Sequence, residues 1–366
     1  MGFTLPSAGV TPAPGVKKIV AVKVSVVIPV FNNEATVGAA IESVFAQRFD
    51  GQFEMIVVND GSTDGTRKVL AEFGDRIHVI DQERRGVSAA RNAGVAAAAG
   101  EYIALLDGDD LWTEDRLRKT VQALDQNPAG VAAFTDGMLV DAAGIVVVSK
   151  FVPPECEHSP TLDEMLGRIW PMMVSSMTIR RETIGATGGF SEEFGAGDYF
   201  GEDVLAFLLL RERGEIVYVP ETLTRYRISE FMQRLGKRLH PSAVGGKAAS
   251  GALADPDSYF AGNRIFARLM VERFGDRGRP LAGIAMDRAA SEQVSLGMLA
   301  IHEGDRAYAR RCYLSSIRRR PLMLKTYLRL GWALLPESLA RALSPMFSPR
   351  LLRGLSGPPL LDERPQ

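Results

Sequence analysis

From Val24 onward, short continuous apolar runs alternate with segments whose apolar residues recur at helical spacing. The run "VSVVIPV" reads as a strand buried on both faces, as in a parallel sheet. In "EATVGAAIESVFAQ", Val37, Ala40, Ile41, Val44 and Phe45 mark a helix, and "FEMIVVND" reads as the second strand. The helix "TDGTRKVLAEFG", the strand "RIHVI", the small-residue helix "GVSAARNAGVAAAAG" and the strand "YIALL" follow in turn. The helix "EDRLRKTVQALDQNP" is ended by its Asn-Pro, and "GVAAFTD" closes the series as a strand ending at Asp136. Strands alternating with helices predict an α/β fold: a doubly wound, mostly parallel sheet with helices on both faces.

After Asp141 the alternation weakens. "GEDVLAFLLLRERG" reads as a well-buried helix and "EIVYVPETLTRYRI" as a strand and its exit. From residue 231 the pattern is helical, with "HPSAVGGKAASGALADPDS" as a hinge and no strand signal after it. The expected organisation is a disordered lead-in over residues 1–21, a catalytic domain over 22–230 and a helical C-terminal region over 231–366.

Composition narrows the function only slightly. The 366 residues are 46% hydrophobic and 24% charged, with a formal net charge of −1. Global charge therefore favours no nucleic-acid partner, and an anionic ligand must be held by local arrangements. Cys156 and Cys312 lie far apart, match no metal spacing and read as small apolar residues of a reducing compartment, which points to the cytoplasm. No run approaches the roughly 18 to 20 apolar residues that span a bilayer.

The chemistry gathers where strands end, the edge at which open α/β sheets bind ligands. "YIALLDGDDLW" runs from an apolar strand into three carboxylates around one glycine. In extended backbone Asp107 and Asp109 face the same side, and Gly108 lets a ligand approach the main chain. Paired carboxylates invite a hard cation, Mg²⁺ or Mn²⁺, with phosphate oxygens completing its shell; a solvated acidic turn is the plainer reading of the same residues. In "VVNDGSTDGT", Asp64 or Thr63 caps the next helix, which leaves Asp60 as an acceptor for a nucleobase N–H. "RRGVSAARNAG" sets Arg84, Arg85 and Arg91 beside these acids, and guanidinium suits a diphosphate.

Four ordered blocks over residues 24 to about 230, "VSVVIPVFNNEATVGAAIESVFAQ", "EMIVVNDGSTDGT", "RGVSAARNAGVAAAAGEYIALLDGDDLW" and "GGFSEEF…GEDVLAFLLLRERG", resemble the family-2 inverting glycosyltransferases of the GT-A fold. That resemblance implies a nucleotide-diphosphate sugar donor, a divalent cation, and attack by a hydroxyl of a glycan or lipid-linked acceptor with inversion at the anomeric carbon. It places Pro29, Phe31, Asn32 and Glu34 along the nucleotide and Asp60 at the base, which favours uridine or thymidine and leaves guanosine open. Asp107 and Asp109 match the D-x-D pair, Asp109 being the direct metal ligand. Asp203 matches the catalytic base, with Glu202 as the alternative. As the start of an apolar helix, Asp203 would have its ionised form favoured by the helix dipole, although acids at helix starts are also ordinary caps.

Where the family often carries a histidine after "YR", "RYRISEF" has Ser229, which leaves Arg225 and Arg227 as phosphate or acceptor contacts. Trp170, Met172 and Met173 read as core in preference to an apolar shelf for a sugar or lipid. Between Arg306 and Arg329, cations alternate with Tyr and Leu, compatible with peripheral contact to an anionic membrane at its inner face and equally with a solvated basic surface. Two other readings of the acids are a metal-dependent phosphohydrolase with an aspartate nucleophile and a non-catalytic sugar-nucleotide-binding scaffold. No G-x-x-x-x-G-K-[ST] occurs, and no G-x-G-x-x-G follows the first strand.

Overall fold

The computed structural model describes residues 22–195, 201–228, 256–302, 305–319, 321–322, 324–336 and 338–339. The expected lead-in and most of the expected hinge lie outside these residues; the hinge's last three, Pro256 to Ser258, open a helix.

The first half of the chain alternates as its pattern predicts. Strands β1 (Val24–Val30), β2 (Phe53–Asp60), β3 (His78–Gln82) and β4 (Tyr102–Leu105) are joined by helices α1 (Val37–Phe45), α2 (Thr66–Ala71) and α3 (Val87–Ala97). β1 and β2 match the predicted runs residue for residue, whereas β3 begins two residues later than "RIHVI". The four strands pair in parallel in the order β3-β2-β1-β4. All seven residues of β1 are buried, and its side chains still alternate. Val24, Val26, Ile28 and Val30 pack with α1, Leu70 of α2 and helix α4 (Arg116–Gln126); Val27 faces the opposite layer with Ala90 of α3. Helices thus cover both faces.

The other half of the sheet is built differently. β5 (Leu111–Trp112), β6 (Gly130–Val140), β7 (Val146–Val148), β8 (Met177–Arg180) and β9 (Glu215–Arg227) extend the order to β3-β2-β1-β4-β8-β6-β9-β5, with β7 beside β6. Only β6 and β9 pair in parallel there; β4–β8, β6–β8, β6–β7 and β5–β9 are antiparallel. The sheet is therefore mixed, and only its N-terminal half is parallel throughout. Strand β6 also runs past Asp136, where the sequence pattern ends it. The buried Asp136 carboxylate accepts N–H groups from Gly137, Phe151 and Val152 at 2.7–3.0 Å, so the backbone shifts register and continues. Burial raises its pKa against those three donors.

Three short helices, α5 (Leu162–Gly167), α6 (Arg181–Thr187) and α7 (Glu202–Arg213), pack on the face that carries α3. Helices α8 (Pro256–Phe274), α9 (Arg279–His302), α10 (Arg306–Arg319) and α11 (Leu324–Leu334) follow. Phe266 and Met270 of α8 and Leu281 and Ala285 of α9 share one apolar core with Leu205 and Ala206 of α7. Trp170, Met172 and Met173 are buried in that core, Cys156 and Cys312 are buried free thiols, and the core reading of all five stands.

Strand order reverses between β1 and β4, so their carboxyl ends diverge and leave a crevice. The β1–β4 ladder ends at Val27 and Leu105. Pro29, which has no N–H to give, lies beyond it. The crevice is bounded by the segment after β1, the segment after β4 and, as shown below, the start of α7.

Candidate active site

The β1 and β2 exits brace each other. Asn32 adopts φ 52°, a left-handed conformation that asparagine tolerates better than most residues, and this turns its amide toward the next loop. Its Oδ1 accepts the Thr63 N–H at 2.8 Å, and its own N–H donates to Ser62 Oγ. Glu34 accepts the Gly65 N–H at 2.8 Å, and its own N–H donates to Asp64. Asn33, which the sequence pattern did not single out, accepts from the Phe31 N–H and donates from its main chain to Thr66 Oγ1. The Arg84 guanidinium lies over the Phe31 ring, a cation–π contact.

Asp60 is 2% exposed. Its carboxylate accepts the main-chain N–H of Arg85 and of Gly86, each at 2.8 Å, and the Gln82 amide at 2.7 Å. Arg84 adds an ion pair at 3.8 Å. Asp60 therefore organises the β3–α3 segment as well as standing at the crevice. Gly61 belongs to the same arrangement: at φ 72°, a Cβ there would stand 2.9 Å from the Arg84 nitrogen.

The D-G-D-D segment is a turn, closed by the Asp110 N–H on the Asp107 carbonyl at 3.0 Å, and the extended same-side geometry expected from the sequence does not occur. Gly108 has a different reason as well. A Cβ there would meet Val30 at 2.8 Å and Asn33 at 3.1 Å, so packing against the β1 exit requires glycine, whereas the sequence reading attributed it to ligand access. Thr36 of the same exit donates its hydroxyl to the Gly108 carbonyl at 2.9 Å.

The acids of this turn have distinct surroundings. Asp107 is buried against Arg91 of α3 at 2.9 Å. Asp110, fully buried, accepts the Ser175 hydroxyl at 2.5 Å and the Arg227 N–H at 2.9 Å. Asp109 is the most exposed of the three. Ser175 also accepts the Asp107 N–H at 3.0 Å, so one hydroxyl fixes both ends of the turn. The sequence pattern missed Ser175 among the apolar residues of "IWPMMVSS", where a small polar side chain was the available signal.

Arg91 is 3% exposed and spans the site. Besides Asp107 it reaches Glu202 at 3.3 Å, at the first position of α7. Burial alone would lower its pKa, but the charges of Asp107 and Glu202 raise it above the ordinary arginine range. A guanidinium so committed to carboxylates differs from the diphosphate contact expected of it. Arg227 differs in the same way: its Nε donates to the Asp109 carbonyl at 3.0 Å and its Nη1 to the Ala142 carbonyl at 2.7 Å, so it secures the turn from behind.

Glu202 and Asp203 open α7 after Gly201, whose φ is 112°. A Cβ on Gly201 would stand 2.6 Å from the Phe266 ring, so the C-terminal helices set where α7 begins. Burial raises the pKa of Glu202, and the neighbouring Asp203 charge adds to this against Arg91. Burial likewise raises Asp203, opposed by Arg91, by its hydrogen bond from the Val204 N–H and by the charge of Arg288 on α9. This corrects the sequence-based expectation that the helix start simply favours the ionised aspartate: removal from water dominates. Arg288 had no sequence signal, because it follows Asp203 by 85 residues and only packing brings the two near.

Asp107 and Asp109 offer hard oxygen donors of the kind Mg²⁺ and Mn²⁺ take. Among the described residues, no group of three or more His, Cys, Asp and Glu is placed to hold a metal ion. The donor set thus fits an ion that uses one or two carboxylates and completes its shell with phosphate oxygens and water.

The crevice thus lies at the switch point of a mixed sheet, with carboxylates on both sides. Residues 25–148 match the model for Glycosyl transferase family 2. It is 34% identical over 134 residues to the Escherichia coli UDP-Glc:alpha-D-GlcNAc-diphosphoundecaprenol beta-1,3-glucosyltransferase WfgD, covering 36% of this chain and 51% of that one. It is 29% identical over 211 residues to a glycosyltransferase of Rickettsia felis, covering 57% of this chain and 33% of that one. The chain thus spans about a third to a half of the length of these curated relatives. The fold is similar to S. aureus TarS 1-349 solved with UDP-GlcNAc, at a TM-score of 0.54 and 16% identity over 85% of this chain and 87% of that one.

Proposed function

We propose that the chain is a metal-dependent inverting glycosyltransferase that moves a sugar from a UDP- or dTDP-sugar to a hydroxyl of a glycan or lipid-linked acceptor in surface-glycan biosynthesis. The observation that carries this reading is the buried Arg91 bridge, which ties Asp107 on the donor side of the crevice to Glu202, the neighbour of Asp203, on the other. Asp109 and Asp107 would hold Mg²⁺ or Mn²⁺, which when bound would stabilise the charge on the departing nucleoside diphosphate. Phe31, stacked under Arg84, and the Asn32–Glu34 brace would form the floor for the nucleotide, with Asp60 at its base.

Asp203 takes the proton of the acceptor hydroxyl. The hydroxyl oxygen forms its bond to the anomeric carbon as the bond from that carbon to the phosphate oxygen breaks, and the nucleoside diphosphate leaves with the electron pair. Burial raises the pKa of Asp203, which strengthens it as a base. The UDP-sugars named for WfgD and TarS support the uridine donor, and the diphosphoundecaprenol acceptor named for WfgD supports a lipid-linked acceptor. The test is release of nucleoside diphosphate from a panel of sugar nucleotides with and without Mn²⁺. Release that depends on acceptor and is lost on chelation is expected; unchanged donor affinity in excess chelator rejects the metal assignment, and a trapped phosphoaspartate rejects the transferase mechanism.

A further inference from the structure

The last described helices carry apolar side chains on the wrong side. In α11, Thr326 and Ala333 face inward, Ala333 against Tyr308, Ala309 and Cys312 of α10. On its outer side Leu324, Tyr327, Leu328 and Leu334 are exposed, spaced at i, i+3, i+4 and i+10. That spacing makes one stripe along the helix. Leu322, in the turn before α11, is 90% exposed, and Leu314 on α10 is exposed as well. Isolated surface leucines need no explanation, but a contiguous stripe does.

The charge around the stripe identifies its partner. From Arg306 to Pro336 the sequence holds eight Arg and Lys and no Asp or Glu. Arg311, Arg318 and Lys325 are exposed beside the leucines. An apolar stripe on a hairpin rich in cations is the arrangement of a helix lying in the interface of an anionic bilayer. Among the described residues no helix is long and apolar enough to cross a membrane.

We propose that the outer face of the α10–α11 hairpin is a docking surface for anionic lipid, with Leu322, Leu324, Leu328 and Leu334 entering the acyl boundary and Arg311, Arg318 and Lys325 meeting the headgroups. This deepens the lipid-linked-acceptor reading and rests on it for its purpose: a hairpin packed on α9, which runs on from the core around α7, would hold the crevice near acceptors anchored in that bilayer.

The test is flotation of the full chain with vesicles of phosphatidylcholine alone or with one third phosphatidylglycerol. Flotation only with the anionic vesicles, weakened by salt, is expected. The triple variant L324E/L328E/L334E should lose at least ten-fold in binding, and each of R318Q and K325Q about five-fold. If the triple variant unfolds, L322E alone, in the exposed turn, carries the test, since that side chain packs on nothing that folding needs. Equal binding to neutral vesicles, or none to either, overturns the proposal. So does a dimer in sedimentation velocity that L324E dissociates without any lipid binding, which would make a second copy the occupant. Turnover with a soluble acceptor is measured in parallel. Vesicle binding without turnover rejects the proposed function and keeps the surface; turnover without vesicle binding does the reverse.

Discussion

The two sides of the crevice are held by different forces. On the proposed donor side, loops that follow strands are fixed by hydrogen bonds from main-chain N–H groups to side chains of the neighbouring strand exits: Thr63 to Asn32, Gly65 to Glu34, Arg85 and Gly86 to Asp60. On the acceptor side, Glu202 and Asp203 are held by a buried charge from α3 and by Phe266 and Arg288 from helices far along the chain. The first arrangement lies within the parallel half of the sheet and is largely polar. The second depends on the core, so the acids there are desolvated and their pKa values rise. The contrast fits the proposed division of labour: a base gains from desolvation, and a phosphate pocket needs fixed N–H groups and charges.

The largest effect should come from the acceptor side. Asp203→Asn keeps the shape of the helix start and removes the base, so turnover should fall by about 10² to 10⁴ while donor affinity stays within a few-fold of the parent. Steady-state kinetics beside calorimetry with the donor checks this, and retained turnover would transfer the role to Glu202.

Arg91→Met should follow, as a loss of folding stability of about 3 to 5 kcal/mol, because Asp107 and Glu202 would be left buried without their shared cation. Urea unfolding measures it. A loss below 1 kcal/mol would mean that water already compensates those acids, and the coupling of the two sides would be weaker than the geometry indicates.

On the donor side, Asp60→Ala leaves the buried Gly86 N–H without its acceptor, at a cost of about 1 to 3 kcal/mol in stability. Donor affinity should fall more than turnover at saturation. Equal losses in both would argue that Asp60 acts on the reaction centre.

The smallest change sharpens the comparison. With Asp203 as base, kcat/KM should decline as pH falls, and its acid limb should lie above the ordinary aspartate range because burial raises that carboxyl. Arg288 opposes the shift, so Arg288→Ala should move the limb to still higher pH with the donor dissociation constant unchanged. A limb that stays in place would remove Arg288 from the electrostatics of the site.

Legibility along the chain follows the same division. β1 and β2 were readable to the residue because strands buried on both faces have almost no choice of side chain. β5, β7 and β8 were not, since strands of two to four residues carry too few positions to show a period. Asp107 and Asp109 could be singled out because acids at the end of an apolar run contradict their surroundings, and Asp203, an acid at a helix start, only through the family resemblance. Ser175, Asn33 and Arg288 could not, because each matters through a partner distant in sequence.

The amino-acid sequence by itself determined the parallel half of the sheet and the acids gathered at the carboxyl ends of its strands, since local periodicity and charge suffice for those. Tertiary structure alone decided that Asp107 and Glu202 share one buried guanidinium, that the D-G-D-D segment is a turn, and that helices after residue 255 shape the start of α7. Those outcomes depend on burial and on distances between remote side chains, which arise only when the layers pack.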